Sequence, residues 1–134
     1  MENSPAALVD GLAAVTLFTE DLAKSRAFYA DVLGLPFVFA DEDSAVFRLG
    51  GTLVNLLRVE AAEELVTPAP VGGAGRGARA LFTAHVPDVD ATVAELARRG
   101  VTPLNGPVDR PWGPRTAAFA DPAGNVWELA GPAG

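Results

Sequence analysis

The chain repeats itself. Residues 12–57 and 79–130 carry the same succession of segments. A repeat of this length points to two copies of one supersecondary unit that bury apolar faces together. Each copy opens on a short apolar strand, "LAAVTLFT" and then "ALFTAHV". Each strand runs into a helix start, where Asp21 and either Asp88 or Asp90 suit an N-cap. The helices present apolar stripes of Leu22, Phe28, Tyr29, Val32 and Leu33, and of Val89, Val93, Leu96 and Ala97. Gly34 and Gly100 stand where a left-handed C-cap is needed. Three strands follow in each copy. "LPFVFA" matches "VTPLNG", "SAVFRLGG" matches "RTAAFADPAGN", and "TLVNLL" matches "NVWELA". Both copies therefore read βαβββ, which gives an α+β fold.

Residues 58–78 read as a linker, since Pro68, Pro70 and a glycine cluster punctuate them. Its "GGAGRG" resembles a phosphate loop only superficially, because no strand precedes it and no helix is expected after it. The reading is one domain over 1–134, with module one at about 12–57 and module two at about 79–130.

Composition narrows the function. There is no cysteine, which removes disulfides and thiolate metal sites. The net charge of −7 argues against a nucleic-acid surface, which needs clustered Lys and Arg. The acidity reads first as solubility and second as attraction for cationic ligands. No apolar run is long enough to span a membrane. The stretch "MENSPAALVDGLAAV" lacks a basic start and is interrupted by Asp10, so no signal peptide is expected and the expected location is cytoplasmic.

Two stretches, "VTLFTEDLAKSRAFYADVLGLPF" and "GPRTAAFADPAGNVWEL", look like signatures of the vicinal oxygen chelate superfamily. That family includes glyoxalase I, extradiol dioxygenases and drug-binding proteins of the bleomycin-resistance type. The resemblance covers about Leu12 to Ala130. It implies mixed sheets curved into troughs that enclose a cavity, and a homodimer. It also implies a divalent metal held by His and Glu side chains on equivalent strands. Aligned to the motif, those four positions fall on Ala14, Asn55, Leu81 and Glu128. The repeat gives the same pairs, since matching Asp21 to Asp88 sets Ala14 opposite Leu81, and matching Gly51 to Gly124 sets Asn55 opposite Glu128. Ala14 and Leu81 carry no donor atom, and an amide oxygen is a poor ligand for Zn, Fe or Ni. A catalytic zinc site wants about three protein ligands. No metal and no cofactor are therefore expected, and whether the chain is an enzyme stays open.

Glu128 is the one carboxylate in an apolar strand. Strand alternation puts Val126 and Glu128 on one face and Trp127 and Leu129 on the other. If the latter pair packs under the helices, Glu128 points into the trough. Thr16 and Phe18 then share a face with Ala14, Leu53 and Leu57 with Asn55, and Thr83 and His85 with Leu81. The expected ligand-binding set is Phe18, Leu53, Asn55, Leu81, His85, Trp112 and Glu128. Trp112, in "RPWGPR", is read either as a stacking platform or as a loop aromatic tucked into the core. Arg110 and Arg115 flank it and could contact an anionic or carbonyl group, although such arginines are more often solvated surface. Phe28, Tyr29, Phe37 and Trp127 are assigned to the helix–sheet core, while Phe39 and Phe47 are left open.

The expected function is metal-independent binding of a small apolar or aromatic molecule, cationic ones included, such as an antibiotic or related natural product. The alternative is a glyoxalase-like lyase or isomerase that uses Glu128 as base or metal ligand. A third reading is a partner-binding subunit whose trough is filled by its own side chains.

Overall fold

The computed structural model describes residues 5–134, and the first four residues of the N-terminal stretch lie outside them. The βαβββ order is present twice. Sheet one holds β1 (Ala14–Thr19), β2 (Phe37–Ala40), β3 (Ser44–Leu49) and β4 (Thr52–Arg58). Sheet two holds β5 (Leu81–His85), β6 (Asn105–Asp109), β7 (Arg115–Ala120) and β8 (Val126–Gly131). Their strand orders are β1-β4-β3-β2 and β5-β8-β7-β6. The first strand of each module lies parallel to its last, and the other pairs are antiparallel.

The helix starts follow from capping chemistry. Asp21 Oδ1 accepts the Lys24 N–H at 3.0 Å, and α1 (Leu22–Ala27) begins there. Asp88 Oδ1 accepts the Ala91 N–H at 3.0 Å and opens α3 (Val89–Arg98). Asp88 is thus the cap of α3, and Asp90 instead pairs with Arg115 at 3.0 Å. Gly34 and Gly100 have φ of 68° and 89°, a conformation in which a Cβ would be strained. After Ala27 the helix widens into a π turn over Phe28–Val32, where the Leu33 N–H reaches the Phe28 carbonyl at 3.0 Å. Phe28 and Tyr29, adjacent in sequence, are both buried there.

One apolar cluster takes residues from both modules. Leu17, Phe47, Val54 and Leu56 come from sheet one, and Phe119, Trp127 and Leu129 from sheet two. Phe28, Tyr29 and Leu96 fill the space between them. Tyr29 touches both sheets, with its ring 6.3 Å from Phe47 and 6.2 Å from Trp127. The inward face of each sheet is thus committed to this core, and the alternate side chains line the opposite faces.

A buried polar knot crosses the core. The Tyr29 hydroxyl donates to Asp121 Oδ2 at 2.7 Å, and Trp127 Nε1 donates to the same hydroxyl at 2.9 Å. Asp121 also accepts the backbone N–H groups of Ala123 and Asn125 and the Asn125 amide, each at 2.9 Å. Burial first, and then the Asp121 carboxylate beside it, push the Tyr29 phenol well above its ordinary range.

Three readings change, and one that was left open is decided. Residues 58–78 are not a plain linker, because Arg58 ends β4 and Val59–Val66 form α2, which packs on β4 and β1. A short 3₁₀ turn follows at Ala74–Arg76. The strand read at "VTPLNG" begins only at Asn105, since the Val101 N–H closes the end of α3 on the Leu96 carbonyl at 2.8 Å. Phe37 is half exposed rather than core; it stands edge-on to Phe47 with the Arg26 guanidinium 4.8 Å above its ring. A bulge between Phe37 and Phe39 then turns Phe39 toward the face of Val46, and it too is exposed, whereas Phe47 is fully buried.

Candidate functional site

The outward faces of the two sheets carry matching polar pairs. In sheet one, Asn55 lies opposite Thr16 in the parallel β1–β4 register, and Asn55 Nδ2 donates to Thr16 Oγ1 at 3.3 Å. In sheet two, Glu128 lies opposite Thr83, and Thr83 Oγ1 donates to Glu128 Oε1 at 2.9 Å. The direct partners of Asn55 and Glu128 are therefore these threonines. Ala14 and Leu81 lie one alternation further down, opposite Leu53 and Val126. Among the described residues no hydrogen bond links the Asn55 pair to the Glu128 pair.

Each pair leaves an acceptor over. Asn55 Oδ1 is buried and meets no protein donor, an arrangement that is costly unless another group satisfies it. Glu128 Oε2 likewise receives no protein hydrogen bond among the described residues. The surrounding wall is apolar and open. Leu53 and Phe18 are half-buried and Leu81 is 52% exposed. Leu57, read as open wall, is buried at the end of β4 from which α2 folds back. His85 is exposed at the end of β5, opposite Ala130.

The β6–β7 connection adds a group that sequence reasoning placed on the surface. Arg110 Nε donates to Thr116 Oγ1 at 2.8 Å, and Arg110 Nη2 to Asn105 Oδ1 at 3.2 Å. Thr116 alternates with Ala118, the register partner of Glu128. The Arg110 guanidinium therefore lies on the Glu128 face of sheet two. Trp112 is not tucked into the core: it is 70% exposed, with the Arg110 guanidinium 5.9 Å from its ring centre. Arg115 is no solvated cation either, being paired with Asp90 and with Asp109 at 3.2 Å. Those two carboxylates hold Arg115 above its ordinary pKa. The Gly134 N–H, with Arg115, holds Asp109 below the usual carboxylate range.

A cleft of about 310 Å³ lies where the modules meet. Thr16 and Phe18 of β1 line it together with Phe82 and Val126 of module two, and residues 72–74 and 76–80 line it as well.

The donor set does not fit a metal of the kind the fold suggests. Ala14, Asn55, Leu81 and Glu128 supply one strong ligand. Among the described residues no three His, Asp or Glu side chains converge on a point that could hold a metal ion.

This fold and this pair of troughs define a protein built from two βαβββ modules. Residues 11–129 match the family model described as the Glyoxalase/Bleomycin resistance protein/Dioxygenase superfamily, and the chain belongs to that family. It is 35% identical over 119 residues to the uncharacterized protein YraH of Bacillus subtilis (strain 168), covering 86% of this chain and 93% of that one. A glyoxalase/bleomycin resistance protein/dioxygenase from Nocardioides superposes with a TM-score of 0.83 at 24% identity, covering 95% of this chain and 86% of that one. An antibiotic binding protein from Streptomyces sp. CB03234 superposes with a TM-score of 0.72 at 26% identity, covering 96% of this chain and all 100% of that one.

Proposed function

We propose that this chain binds a small, largely apolar molecule without the help of a metal, and that the molecule is an antibiotic or a related natural product. The observation that carries this reading is the makeup of the four positions where the family places metal ligands. Two of them, Ala14 and Leu81, are apolar; Asn55 Oδ1 is a buried acceptor without a protein donor, and Glu128 carries a partly exposed carboxylate on the outward face of sheet two. Apolar walls supply affinity, and a few polar groups set orientation. The Glu128 carboxylate selects a ligand with an N–H or O–H donor, and its charge favours a cationic one. The similarity to the Streptomyces antibiotic binding protein supports the reading. Phe18, Leu53, Leu81, His85 and Trp112 complete the proposed contact set. We take the working unit to be a cytoplasmic homodimer in which a second copy covers the open troughs.

The test begins with metal content. Protein purified without chelators is expected to hold no appreciable Zn, Ni, Mn or Fe, and a full equivalent per chain overturns the reading. A panel of aromatic antibiotics is then screened by tryptophan quenching. Glu128→Gln is expected to weaken a cationic binder roughly tenfold, the scale of a lost charge-assisted hydrogen bond. Turnover of a bound compound that Glu128→Gln abolishes would instead make the chain an enzyme with Glu128 as its base.

A further inference from the structure

The cleft between the modules has a chemistry of its own. Part of its lining is the segment 72–80, which carries Arg76 and Arg79. Neither arginine takes part in an ion pair among the described residues. Both line the cleft, together with a single carboxylate, Glu20. Glu20 is partly occupied, because its Oε2 accepts the Ala74 N–H at 3.2 Å and so ties the loop to the end of β1. Two cations against one engaged carboxylate leave this cleft electropositive, in a chain whose net charge is −7. The lining also carries aromatic rings. Phe18 lies on one side and Phe82 on the other, and the Phe82 ring is backed by Trp127 at 5.4 Å. A volume of about 310 Å³ falls at the lower end of the range for small-molecule sites.

The loop is held in place as well as charged. Gly124 of the β7–β8 turn packs against Ala74, and a Cβ on Gly124 would stand 3.3 Å from the Ala74 carbonyl oxygen. The Asp121 side chain that shapes this turn is the one fixed by Tyr29. The arginines are thus carried on a segment braced by both modules, and a braced segment loses less freedom when it binds.

We propose that this cleft is a binding site for a small aromatic anion. Its carboxylate or sulfonate is held by Arg76 and Arg79, and its ring lies between Phe18 and Phe82. Guanidinium groups suit this task because their planar fork matches a carboxylate. The cleft shares Thr16 and Phe18 with the outward face of sheet one, but its cations, Arg76 and Arg79, belong to neither the Asn55 nor the Glu128 pair, and the inference stands whether or not those pairs bind a drug.

The test uses the full chain and 2-naphthoate as probe, followed by titration calorimetry and by amide chemical shifts. Binding to one site per chain is expected, with shifts confined to residues 16–20, 72–82 and 123–126 and their direct partners. The Arg76→Ala, Arg79→Ala double variant, whose changes are on exposed side chains, is expected to lose roughly tenfold or more in affinity. Uncharged 2-naphthamide is expected to bind the native chain as weakly as 2-naphthoate binds the double variant. Arg98→Ala, which removes an exposed cation outside the cleft, is expected to leave 2-naphthoate binding unchanged. The proposal is overturned if 2-naphthoate does not bind, if the shifts fall on Thr83 and Glu128 and not on residues 72–80, or if the double variant binds as well as the native chain.

Discussion

At the scale of single residues, Tyr29 is the group with the most at stake. It is the only tyrosine in the chain, is fully buried and stands between an acceptor, Asp121, and a donor, Trp127. Tyr29→Phe leaves the Trp127 N–H buried without its acceptor and removes one of the four hydrogen bonds that the Asp121 carboxylate accepts, so a loss of about 1–3 kcal/mol is expected in urea unfolding at neutral pH. The same contact sets an alkaline limit. The folded phenol titrates well above its ordinary range, whereas the unfolded one titrates near pH 10. Its contribution is full below about pH 10 and declines above it, because the unfolded chain releases the proton first. The gap in stability between native protein and Tyr29→Phe should therefore narrow as pH rises past about 10. A constant gap would mean that the hydroxyl is not protected. Sequence reading placed Tyr29 in the core from its helical spacing. It missed the knot, because Asp121 stands in a turn signal and its partner lies 92 residues away. Thr16 and Thr83 were read only as wall positions for a related reason. Threonine in a strand is ordinary, and their pairing with Asn55 and Glu128 becomes visible only in the register of the parallel strands.

At the scale of elements, most of what the sequence revealed came from caps and period. Asp21, Gly34 and Gly100 marked the helix ends because their side-chain and backbone chemistry is local. Helix α2 escaped notice, since the prolines and glycines behind it outweighed eight ordinary helix residues. Strand β6 began late for a similar local reason, with α3 closing through Val101 and the chain needing several residues to reach the sheet edge. That edge depends on Gly106. Its φ is 80°, and a Cβ there would stand 2.4 Å from the Thr116 carbonyl oxygen and 2.8 Å from the Ala117 Cα. Both obstacles are backbone, so Gly106→Ala must push β6 off β7. A destabilisation of more than about 1 kcal/mol is expected from chemical unfolding, together with displacement of Arg110, which is anchored to Asn105 and Thr116. Native-like stability in Gly106→Ala would show that β6 is not seated as described.

At the scale of the whole molecule, the modules are tied by one cluster that neither owns. Leu129 of sheet two lies in the same cluster as Val54 and Leu56 of sheet one. Leu129→Ala should cost about 2–5 kcal/mol, and its effect should appear in both modules. Amide exchange at Val54 and Leu56 is expected to quicken along with exchange in β8. Protection retained in sheet one alone would mean that the modules unfold separately. The duplicated plan also carries a break in its own likeness. Thr16 with Asn55 and Thr83 with Glu128 occupy equivalent places, and their second members differ by one methylene and as an amide differs from a carboxylate. The place in the fold is conserved across the duplication while one full charge is not. The molecule therefore has a compass: any guest that is itself lopsided in charge finds one pole and not the other, and Asn55→Asp would remove the needle without changing the case.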